Sequence, residues 1–64
     1  MDFIELGKAA HANGNLRAPA MNAQVMEAIA GLPIGSPETM RIMKDFTKGF
    51  DMATAAEVAE LMAA

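Results

Sequence analysis

Residues 36–64, SPETMRIMKDFTKGFDMATAAEVAELMAA, form the stretch whose reading decides the fold. It opens as a helix opens. Ser36 is a good N-cap, Pro37 suits the first helical position because its missing N–H is an orphan there, and Glu38 sits well in the first-turn field. Met40, Met43, Phe46, Phe50 and Ala53 then recur at helical spacing, with Val58, Leu61 and Met62 continuing the stripe. Gly49 interrupts the run, and Thr54-Ala55-Ala56-Glu57 has the form of a capping box. Two readings stay open: one unbroken helix, or a helix to about Met52 that restarts after Thr54.

Upstream of this stretch, Leu32-Pro33-Ile34-Gly35 reads as a tight turn from its Gly and Pro content, with Leu32 and Ile34 expected to fill the gap between helices. Before it, Asn22 caps a short helix to about Ala30, ended by Gly31. Its buried face is Val25, Met26 and Ile29, and Met21 and Met26 stand at the positions of a hydrophobic staple. Residues 15–20, NLRAPA, read as a loop with Leu16 tucked under it and Pro19 holding Ala18 extended. The chain begins with a helix capped by Asp2, with Glu5 at the reciprocal capping position and Phe3, Leu6, Gly7 and Ala10 on one side. Asn13-Gly14 stops it, Gly14 taking the left-handed conformation. Gly7 costs about 1 kcal/mol in helix propensity relative to Ala, which points to a close approach by a neighbouring helix.

Composition narrows the class. Sixty-four residues make one small domain, 1–64, which buries a small fraction of its surface. The absence of cysteine removes a disulfide framework, and a single His without Cys argues against structural zinc. Self-association is the remaining usual support for so short a chain. The chain is 53% hydrophobic but 5% aromatic, its apolar share dominated by Ala and Met, which suits helices rather than strands. A net charge of −3 argues against non-specific binding to nucleic acid or an anionic membrane. No apolar run approaches the ~20 residues that span a bilayer, and Met1-Asp2-Phe3-Ile4-Glu5 lacks the features of a signal peptide, so a cytoplasmic protein is expected.

Candidate chemistry is sparse. His11 has no nucleophile or orienting carboxylate nominated by sequence, and Glu57 and Glu60, three apart, lack a His partner for a metal box. No phosphate-cradling glycine loop is present. We therefore assign no catalytic, cofactor-binding or metal residue, no cofactor and no small-molecule substrate. Arg41, Lys44 and Lys48 share one face of the long segment, where they form either a phosphate-contacting stripe or an ordinary surface paired as Glu38–Arg41 and Arg41–Asp45. The methionines mark either a deformable partner surface or gap-fillers in a small core.

Two further segments carry a family likeness: Gly7-Lys8-Ala9-Ala10-His11-Ala12-Asn13-Gly14 followed by Pro19, and Phe46-Thr47-Lys48-Gly49-Phe50 with Ala53. This pattern resembles the ribosome modulation factor family and its short phage and bacterial relatives. In that family a G-x-x-A-x-x-x-G helix and an aromatic-x-x-Gly-aromatic helix pack together. The resemblance implies that Gly49 admits the first helix closely while Phe46 and Phe50 bracket the contact. This chain departs from the family in having Ala18-Pro19-Ala20 for Cys-Pro-Tyr, Phe for Trp, an inserted helix from about Asn22 to Ala30, and an acidic balance.

The expectation is an all-α protein of three to four short helices, a helical hairpin built on a long C-terminal helix. Its function is expected to be non-enzymatic: a phage-like interaction protein forming a homodimer or small homo-oligomer, or binding another protein, through Met43, Phe46, Phe50 and Leu61. The alternative is a ribosome- or RNA-associated modulator using Arg17, Arg41, Lys44 and Lys48.

Overall fold

The computed structural model describes residues 2–63. Its elements are α1 (Phe3–Ala12), a 3₁₀ turn (Pro19–Met21), α2 (Ala23–Ile29) and α3 (Pro37–Ala63), with no strand among the described residues. Each helix begins where a side chain satisfies orphan N–H groups. Asp2 Oδ1 accepts from the N–H of Ile4 at 2.9 Å, and Asn22 Oδ1 accepts from Gln24 and Val25 at 3.0 Å each. Ser36 Oγ accepts from the Thr39 N–H at 3.1 Å and donates its own proton to Thr39 Oγ1 at 2.9 Å. Glu5 does not complete a capping box; its carboxylate holds Lys8 Nζ at 3.1 Å instead.

α1 ends as its Asn-Gly pair predicts. Gly14 has φ +73°, and the Asn15 and Gly14 N–H groups close on the carbonyls of Ala10 (2.8 Å) and His11 (3.1 Å), the paired bonds of a Schellman cap. The turn into α3 is closed by the Ser36 N–H on the Pro33 carbonyl at 3.1 Å, with Gly35 at φ +74° in its third position. Ile34 therefore occupies the apex of that turn and is fully exposed, which corrects the expectation that it fills an interhelical gap. Leu32 does pack against the core.

α3 is one unbroken helix of 27 residues, about 40 Å long at 1.5 Å per residue, and it sets the 46 Å long axis of the molecule. Ala64 lies outside the described residues. The Thr54 hydroxyl donates to the Phe50 carbonyl at 3.0 Å, a bond back along the same helix, so Thr54 does not cap a new one. Gly49 is tolerated mid-helix because it is a contact point. A Cβ there would lie 2.7 Å from the Ile4 carbonyl carbon, and one at Gly7 would lie 2.7 Å from the Phe50 nitrogen. α1 and α3 thus meet backbone to backbone through paired glycines, with Phe46 and Phe50 on either side of Gly49.

The core is small: Ala10, Val25, Ile42 and Phe46, with Phe3, Leu6, Ile29, Leu32 and Phe50 packed around it. Thr39, the one buried polar residue among those described, has its hydroxyl satisfied by Ser36. Three residues expected inside are outside: Leu16, Met21 and Met26 are exposed, so the loop does not cover Leu16 and the Met21–Met26 staple is not buried.

Candidate functional site

The apolar stripe expected along α3 divides into two faces. Thr39, Ile42, Phe46 and Gly49 are its buried residues, and they point toward α1 and α2. Met40 and Met43 point elsewhere. At about 100° per residue, Met40 and Phe46 stand roughly 120° apart around the helix, because repeated steps of three walk backwards round the axis. Met40 and Met52 are about half exposed. With Met43, Thr47 and Ala55 they line an open, almost wholly apolar groove edged by Lys44, Lys48 and Asp51.

Beyond Ala53 the helix runs past the core, with Glu57 still reaching His11. Every described residue from Thr54 to Ala63 is exposed, including Val58, Leu61 at 71% and Met62 at 82%. This projecting segment continues the groove rather than the buried face, since Val58 and Met62 follow Met40, Thr47 and Ala55 in helical phase. A shallower apolar hollow adjoins the other end of the groove, where Ile34, Pro33, Met40 and Met43 line it.

Of the residues expected at an interface, the structure separates core from surface. Phe46 has no exposed area and belongs to the core of the single chain. Phe50 is half-buried, in a T-shaped pair with the His11 ring at a centroid distance of 5.1 Å and an interplanar angle of 80°. Met43 is half-buried at the groove floor, and Leu61 is exposed on the projecting segment.

The cations do not act as a set. Arg17 is held by Asp51 through two bonds, Nε to Oδ1 at 2.7 Å and Nη2 to Oδ2 at 2.8 Å. These bonds, more than the guanidinium charge, hold the Asp51 carboxyl below the ordinary aspartate range against a smaller opposing desolvation, and they raise Arg17 in turn. Arg41, Lys44 and Lys48 are exposed and form no ion pair among the described residues, so the expected Glu38–Arg41 and Arg41–Asp45 pairs are not made. Their long side chains stay hydrated instead, as exposed helix pairs of this kind gain little from closing.

His11 lies in the last turn of α1, and its Nε2 is 3.0 Å from Glu57 Oε2. This contact and the Arg17–Asp51 clamp tie the N-terminal half to α3 outside the core residues. Both partners were missed by sequence reading. Nothing local announces a pair whose members are joined only when α1 crosses α3. No helix is long and apolar enough to cross a membrane among the described residues. Comparison with protein-family models, curated proteins and solved structures matched the chain to none of them.

Proposed function

We propose that this chain is a small non-enzymatic interaction protein that works by helix–helix association, with a second copy of itself as the partner, through the outward face of α3. One observation carries the reading. A 27-residue helix carries buried or half-buried residues only as far as Ala53, while Met40, Met52, Val58, Leu61 and Met62 stand exposed around the rest of its surface. So many large apolar side chains exposed along one helix mark a contact surface. The methionines suit such a face because their flexible thioethers conform to a partner.

Sedimentation equilibrium tests this. A mass near twice the 6.7 kDa of one chain is expected, falling toward one chain when Met43→Glu or Val58→Glu is introduced. A single-chain mass at all accessible concentrations contradicts it.

The alternative, an RNA- or ribosome-associated modulator, draws support from Arg41, Lys44 and Lys48 on one side of α3, exposed and without an ion pair among the described residues. Arg17 contributes less to it, being neutralised by Asp51. Salt-sensitive co-sedimentation with ribosomes, lost on changing those three residues to Glu, would favour this reading over self-association.

A further inference from the structure

We infer that two copies pair through α3 as an antiparallel, two-fold-symmetric helix pair whose axis passes between Thr47 and Lys48; this rests on the self-association proposed above. The residues around the groove are the ground for the register. Reversing the helix about that point places Met40 beside the partner's Ala55, whereas Met43 and Met52, nine residues and so about 180° apart round the helix, fall on opposite edges of the seam. The same reversal sets Lys44 opposite the partner's Asp51. The reversal maps the groove onto itself, as an isologous interface requires, and brings Lys48, half a residue from the axis, beside its own copy at the edge of the seam.

Charge decides between this arrangement and its parallel counterpart. A parallel pair would set each residue against its own copy, with Lys44 on Lys44 and Asp51 on Asp51 across the same seam. The antiparallel register converts both like-charge contacts into two copies of one attractive pair. Asp51 can join without releasing Arg17, because each carboxylate oxygen has a second lone pair and each accepts one bond from Arg17. The helix dipoles also oppose favourably in this orientation.

The register accounts for the two exposed features that lie outside the groove. Extended toward the helix ends, it carries Val58 over the partner's Pro37. Leu61 and Met62 then lie beyond the start of the partner's α3, at the level of the turn that holds Ile34. Ile34 is the fully exposed apex of the turn before α3, and it lines the hollow that adjoins the groove. The projecting segment of one copy is thus the cover for that hollow on the other. The buried face of α3 lies on the far side of the helix from this seam, so α1 and α2 of each copy stay clear of it.

The chain has no cysteine, so a single spin label can be placed at Glu60→Cys, an exposed position turned away from the seam. In the antiparallel pair the two labels are separated along the axis by about 38 Å, giving a distance of about 40–45 Å. A parallel pair places them within roughly 25 Å. Sedimentation is measured on the same labelled sample. A dimer with the long distance is the expected result. A dimer with the short distance overturns the register while leaving self-association standing, and a monomer overturns both. Lys44→Glu gives an independent readout. It weakens the antiparallel dimer by about tenfold, because the two-fold counts the reversal twice. An unchanged dissociation constant contradicts the antiparallel register, since a parallel seam merely exchanges one like-charge contact for another.

Discussion

Gly49 lies against the Ile4 carbonyl so closely that no side chain can stand between them, and Gly7 makes the reciprocal approach to the Phe46–Phe50 turn of α3. The contact is backbone on backbone, and the distance it sets between α1 and α3 lets Phe46 and Ala10 close the core from either side. Two effects of opposite sign therefore meet in one substitution. Replacing a mid-helix Gly by Ala gains about 1 kcal/mol of helix propensity, whereas forcing extra volume into a packed contact costs about 1–3 kcal/mol or more.

Gly49→Ala is accordingly expected to destabilise the fold by about 2 kcal/mol net in urea unfolding at fixed protein concentration. Gly31→Ala is the control: a Cβ there meets nothing within 4 Å and φ is not positive, so its effect stays within about 0.5 kcal/mol or is slightly favourable. A stabilised Gly49→Ala protein would contradict the close helix crossing.

Ser36 satisfies the Thr39 N–H at the start of α3 and also supplies the proton to the buried Thr39 hydroxyl. Ser36→Ala removes both and is expected to cost about 1–2 kcal/mol. Ser36→Asp keeps the cap acceptor and recovers most of that loss. Equal destabilisation by the two variants would place the effect elsewhere.

The Arg17–Asp51 clamp makes a pH-dependent contribution whose sign is fixed by the lowered Asp51 carboxyl. A depressed folded-state value gives stability that is present above the unfolded value and is lost as pH falls through the folded one. The thermal-midpoint advantage of the wild type over Arg17→Gln should therefore hold steady near neutrality and shrink below about pH 4. An advantage that persists unchanged into strong acid would show that the pair is not its source.

Phe46 and Leu61 share the apolar pattern of α3 but should respond in opposite ways. Phe46→Ala hollows out a small core and is expected to cost about 3–5 kcal/mol, enough to unfold so short a chain. Leu61→Glu should leave the circular dichroism of the folded state intact while lowering the sedimenting mass. Loss of helicity in Leu61→Glu without any change in mass would contradict the division into two faces.

What could be read from the sequence was local. The caps at Asp2, Asn22 and Ser36 and the Gly14 stop each depend on chemistry within a few residues, and all are found in place; the close approach at Gly7 was legible only as a cost in helix propensity, and that at Gly49 only through the resemblance. The two faces of α3 were merged because Met40, Met43 and Phe46 step by three, and that spacing fits a single stripe until a packed neighbour shows how far it has rotated. Ile34 and Leu16 are apolar residues in connections, and hydrophobicity alone does not say whether a turn points inward. The His11–Glu57 and Arg17–Asp51 pairs depend on how α1 and the following loop lie across α3, which local pattern does not encode.

The most direct test of a covered outward face is amide hydrogen exchange over Ala55–Met62, compared at low and high protein concentration. Each of these residues is exposed in the single chain, where Glu57 reaches His11. With a second copy seated on them, their protection should rise with concentration, together with that of the turn around Ile34. Rapid exchange of this segment that is the same at every concentration would contradict the account.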